Sequence, residues 1–150
     1  MPDHELRDRL DIEEAIRRYA TGLDERRWDH WDLAFTAAGI IDFTAMGGKR
    51  ETRDEMRERL SRPDPDWLFA QHPVVNTVIT LAGDHATAFS HFQMETGRRS
   101  GSEGEIIRTS GGGAYEDELV RTEAGWRIAE RRVSLRWKET RRVRDEITRD

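Results

Sequence analysis

The feature that most constrains this chain is a change of apolar period near residue 72. Before it, apolar residues recur at helical spacing: Ile12, Ala15, Ile16, Tyr19, Ala20 and Leu23 form one stripe, with Glu13, Glu14, Arg17 and Arg18 on the opposite face. After it the period becomes two, over 72–82, 86–96, 106–121 and 126–137. Helices first and four long strands afterwards describe an α+β chain in which a bent, mostly antiparallel sheet wraps against segregated helices. Such a sheet, with helices across its concave face, makes a cone with an interior pocket.

The connections agree with that layout. The spacing predicts a helix over 5–23, a short helix in DERRWDHWDLAF, a strand over 39–46 and a helix over 51–61 that SRPDPDW breaks. AGDHA reads as a hairpin turn, TGRRSGSEGE as a longer loop, and RTEAG as the last connection. The glycines of SGGGAY suggest a bulge or sharp bend within a strand. Residues 138–150, with few aliphatic side chains, read as a polar tail or frayed helix beyond a core of about 5–137. The 150 residues suit a single domain.

Charge and composition narrow the function classes. Thirty acids against 25 bases give a net charge of −5, and the arginines are spread along the chain, which points away from nucleic acid. With no cysteine there is no thiolate metal site, disulfide framework or cysteine nucleophile. No apolar run suffices to span a bilayer, and the N-terminus shows no signal-peptide pattern, so the expected location is cytoplasmic. Metal-binding spacing, a phosphate loop, a dinucleotide fingerprint and a nucleophile elbow are all missing from the sequence, so no metal and no cofactor is expected.

Two residues draw attention as chemistry. Asp24 ends the first helix, where a carboxylate opposes the dipole and wants a separate reason. His72 follows the Pro-broken segment and opens a strand. Strict alternation would put His72, Val74, Asn76 and Val78 on one face, and both faces are apolar enough to be covered. A histidine there packs in a core or serves as a base, and Asp24 is a turn residue, a cap for the next helix or the partner of an imidazole. Tyr115 is a core aromatic or a phenol that donates to a carbonyl. Glu95, mid-strand, is an exposed pairing residue or a buried acid. Trp28, Phe43, Met46 and Leu68 are candidates for an apolar pocket wall.

In order, DIEEAIRRYATGLDERRWDHW, IIDF, QHPVVN and GGGAYEDELVRTEAGWRIAERRVSLRW resemble the SnoaL-like domain of the nuclear-transport-factor-two-like superfamily, and within it the scytalone dehydratase-like group. The resemblance spans about residues 5–137. It implies the cone-shaped, cystatin-like fold, usually assembled as a dimer or trimer through the sheet. It also implies that Asp24 and His72 match the Asp–His pair of the dehydratases and of the dehydrochlorinase. Leu23 and Phe43 replace two phenols of scytalone dehydratase, Thr96 lies near the place of its second histidine, and Tyr115 takes the place of an asparagine, which points away from scytalone itself. The expected function is a cofactor-independent dehydratase-type lyase, or a ketosteroid-isomerase-type proton transfer, on a small cyclic, largely apolar carbonyl compound. Asn76 and Tyr115 would polarise the carbonyl. The alternatives are a non-catalytic small-molecule-binding module and a small partner subunit of a ring-hydroxylating dioxygenase-type enzyme.

Overall fold

The computed structural model describes residues 3–146. The chain runs α1 (Asp3–Asp24), α2 (Trp28–Ala34), β1 (Phe35–Asp42), a 3-10 turn (Thr44–Met46), β2 (Arg50–Thr52), α3 (Arg53–Ser61), β3 (Trp67–Gln71), β4 (Val74–Ala82), β5 (His85–Arg99), β6 (Glu105–Thr122) and β7 (Gly125–Arg144). All seven strands join one sheet in the order β2-β1-β7-β6-β5-β3, with β4 also paired to β5. Every pairing is antiparallel except β1 with β7, which makes the sheet mixed. The result is an α+β fold in which the N-terminal helices pack against a curled sheet.

The apolar stripe of α1 is buried as its period requires: Ile12, Ala15, Ile16 and Tyr19 are at most 2% exposed. Full burial of each large member contributes roughly 1.5–3 kcal/mol. The aromatics of α2 and β1 close the core, with Tyr19, Trp31 and Phe35 in mutual ring contact. Trp31 is held by its indole N–H, which donates to the Arg53 carbonyl at 3.2 Å.

Long strands must bend to enclose a cavity, and β6 does so at its glycines. The β6–β7 register shifts between Gly112 and Gly113. A Cβ on Gly113 would lie 1.8 Å from the Ser134 carbonyl oxygen, so the neighbouring strand approaches too closely for any side chain there.

Several sequence expectations shift. The strand expected over 39–46 lies at Phe35–Asp42, and 44–46 forms a 3-10 turn. The strands β2 and β3 are additions, three and five residues long. The loop expected after residue 96 shortens because β5 runs on to Arg99. Instead of a tail, residues 138–144 continue β7 and pair with 105–111 of β6. The end of that expected tail, 147–150, lies outside the described residues.

Asp8 ties α1 to the β6–β7 turn. It accepts two hydrogen bonds from Arg121, at 2.6 and 2.7 Å, and one from the Trp126 indole at 3.0 Å. The Arg121 and Trp126 bonds hold its carboxyl at about 2, below the ordinary 3.8. A depressed carboxylate stabilises the fold above its unfolded value and loses that contribution as pH falls through its folded value. Arg121 is 39% exposed, so solvent screening reduces the effect to about 1 kcal/mol. Urea unfolding of wild type and Asp8→Asn should differ at pH 7 and converge between pH 4 and pH 2. Constant separation down to pH 2 would contradict this.

Candidate active site

Asp24, at the C-terminal end of α1, and His72, at the corner between β3 and β4, meet although 48 residues apart. Asp24 Oδ1 lies 2.5 Å from His72 Nδ1, and Asp24 Oδ2 accepts the His72 backbone N–H at 2.7 Å. One carboxylate thus fixes both the backbone and the ring of the histidine. This is the separate reason that a carboxylate at a helix C-terminus requires. In the tautomer that donates Nδ1–H to Asp24, the neutral ring carries its lone pair on Nε2. The side chains are 11% and 14% exposed.

His72 lines a cavity of about 490 Å³ between α1, α3 and the curled sheet. The wall around it is largely apolar and includes Leu23, Phe43, Met46, Phe92, Met94 and Tyr115. Tyr115 stacks on Phe92 with centroids 4.3 Å apart and is 1% exposed. Burial raises its phenol well above 10 and pushes that of Tyr19, which also lines the cavity, up to about 12. Both phenols therefore stay protonated at ordinary pH, and the hydrogen bond between them leaves one of the two protons free to donate.

Of the residues singled out in the sequence, His72, Tyr115, Phe43 and Met46 line this cavity, and Asp24 stands directly behind His72. Four others do not. Asn76 adopts φ +55 in a bulge between Val75 and Val78, which inserts one extra residue opposite β5. The inward face consequently passes from Val74 to Ile79 and Leu81, and Asn76 faces out beside Glu13 and Arg17. Val75 and Val78, expected to be covered, are 47% and 65% exposed. Glu95 accepts from Arg108 and Ser110 at 2.8 and 2.7 Å elsewhere on the sheet. Arg108 holds its carboxyl low, as a pairing residue. Leu68 falls at the irregular step between Trp67 and Phe69 and is absent from the wall. Trp28 lines a second, neighbouring cavity.

The sequence reading missed a charged group on the same wall. Glu51, on β2, is buried at 4% exposure and ion-paired with Arg59 of α3 and, at 3.1 Å, with Lys49. All three line the cavity. Burial opposes the charge on Glu51, but Arg59 and Lys49 outweigh it and leave the carboxyl lowered, hence ionised. Thr52 caps α3 with a reciprocal capping box to Glu55, which turns the chain back so that Arg59 reaches Glu51. No spacing signal marks such a pair, because the turn that joins them sits between them.

Among the described residues no three His, Cys, Asp or Glu side chains are grouped to hold a metal ion. No helix among them is long and apolar enough to cross a membrane.

Rv2910c, an uncharacterized protein of Mycobacterium tuberculosis, is 29% identical over 131 residues, which is 85% of this chain and 84% of that protein. Kfla4162 from Kribbella flavida matches with a TM-score of 0.75 at 26% identity, over 91% of this chain and 95% of the other. A scytalone dehydratase-like protein from Novosphingobium aromaticivorans matches at 0.75 and 18% identity, over 96% and 94% of the two chains. The hexachlorocyclohexane dehydrochlorinase LinA-type3 from Novosphingobium barchaimii matches at 0.73 and 14% identity, over 91% of each. The last two are likenesses of fold. The SnoaL-like domain family matches residues 4–132, nearly the whole chain, and this protein belongs to that family.

Proposed function

We propose that the protein is a cofactor-independent lyase of the dehydratase type, acting on a small cyclic, largely apolar carbonyl compound. The observation that carries this reading is the Asp24-bound ring of His72 lining an apolar cavity of about 490 Å³. Two proteins of the same fold bear names of elimination enzymes, a dehydratase and a dehydrochlorinase, which agrees with it.

His72 Nε2 takes the proton from the carbon alpha or vinylogous to the carbonyl. The C–H electrons move into an enolate, whose oxygen accepts a hydrogen bond from the Tyr115 phenol. Asp24 holds the imidazolium that forms. The enolate then collapses and expels the β-hydroxyl, which takes the proton from His72 and leaves as water. Return of the proton to another carbon would instead give isomerisation by the same residues. The outward-facing Val75, Val78 and Trp137 support self-association through the sheet as part of the proposal.

A panel of cyclic β-hydroxy ketones and β,γ-unsaturated ketones, incubated with the protein in D2O, tests the reading. The expected outcome is water loss or deuterium uptake beside the carbonyl, followed by NMR, that requires His72. Exchange that persists in a folded His72→Ala variant would overturn the mechanism. Ligands that bind and never exchange would favour a binding module instead.

A further inference from the structure

The cavity in front of His72 does not end at His72. A second cavity of about 410 Å³ shares Leu23, Arg59, Leu60 and His72 with the first, so the two adjoin at these residues. The chambers differ in chemistry. The second is lined by Arg26, Arg59, Arg62 and Arg98 and by the faces of Trp28 and Trp67. Asp64 is the single acidic residue among its described lining residues. Four arginines against one carboxylate give this chamber a positive lining, although the chain as a whole carries a net charge of −5.

The four are not equivalent. Arg98 is held bidentately by Asp64 at 2.6 and 3.1 Å, and Arg59 by Glu51. Arg62 reaches only Glu58, at 3.3 Å and with both side chains at least 70% exposed, a weak pair. Arg26 has no carboxylate partner among the described residues. Its Nη2 donates to the carbonyls of Leu60 and Arg62, at 2.7 and 3.1 Å, which fixes the guanidinium in place. Its centre lies 5.3 Å from the Trp67 ring and 5.9 Å from the Trp28 ring. The Nη1 and Nε donors meet no described acceptor. A planar cation, oriented by backbone carbonyls beside two indoles with donors unspent, matches a carboxylate on an apolar arm.

We propose that this second chamber is an anion subsite, and that the substrate carries a carboxylate on an arm extending from the reacting ring past His72 to Arg26. The inference rests on the proposed reaction only for placing the ring in the first chamber; anion binding itself needs no turnover.

Calorimetric titration of the full chain with naphthalene-2-acetate, its neutral acetamide and the corresponding naphthylmethylphosphonate separates the possibilities. The carboxylate is expected to bind at least 10-fold more tightly than the amide at low salt, with the preference shrinking as salt rises. Arg26→Gln should reduce it to within 2-fold, while Arg26→Lys, which keeps the charge, should retain part of it. Equal binding of acid and amide by wild type overturns the proposal, as does a preference that survives in Arg26→Gln. Stronger binding of the phosphonate than of the carboxylate overturns the carboxylate assignment. Anion preference together with failure of the whole ketone panel would leave the subsite standing and remove the elimination reading.

Discussion

A folded His72→Ala variant is expected to lose at least ~10² in kcat on any substrate the wild type turns over, within the ~10² to 10⁴ that a placed acid–base group supplies. Asp24→Asn should lose a comparable factor for a different reason. The carboxylate accepts from both the backbone N–H and Nδ1 of His72, at 2.7 and 2.5 Å. An amide offers one oxygen and one NH2, so it cannot accept both. If its oxygen keeps the backbone N–H, its NH2 faces Nδ1 and favours the tautomer with the proton on Nε2, the nitrogen needed as base. The fold should survive the change, since a hydrogen bond to a charged group is worth roughly 1.5–3 kcal/mol, less than the roughly 5–15 kcal/mol available to a domain. The kinetic signature is a fall in kcat with little change in KM, because both residues act on the proton and His72 is only one part of the cavity wall. Near-normal turnover by either folded variant would sink the dyad.

The residues of the site left unequal traces in the sequence. Asp24 was visible as a misfit, a carboxylate at the wrong end of a helix, and the structure supplies the His72 contacts that explain it. His72 was visible because it follows a proline-broken segment and opens a strand. Asn76 misled because strict alternation carries no mark of a bulge. Asparagine tolerates φ +55, and one extra residue reversed the faces of β4. Residues 138–144 were hidden because they are almost all exposed, so their pairing with β6 rests on the backbone and leaves no apolar period. The strands β2 and β3 are too short for a period to show, and Glu51 with Arg59 is a product of the turn between them.

The core holds a second consequence of the fold that no local pattern announced, and it carries the largest expected effect on stability. Arg131 and Asp117 are completely buried and joined by two hydrogen bonds of 2.7 Å. The Arg131 guanidinium also lies 4.2 Å from the Tyr19 ring and 4.1 Å from the Tyr115 ring, beneath the two cavity phenols. Removing one partner leaves a desolvated charge without its counter-ion. Arg131→Met and Asp117→Leu should therefore each destabilise the protein by about 3–5 kcal/mol, a large share of the roughly 5–15 kcal/mol available to a domain. The double variant removes both charges and should lose less than the sum of the singles, because neither change then strands an ion. Urea unfolding of the four proteins checks this, and additive losses would mean that the two charges are not coupled. The recovered double variant asks a further question. Tyr115 would keep its neighbour Phe92 and lose the cation beside its ring, so turnover below wild type despite restored stability would show that the buried pair positions the phenol as well as holding the core.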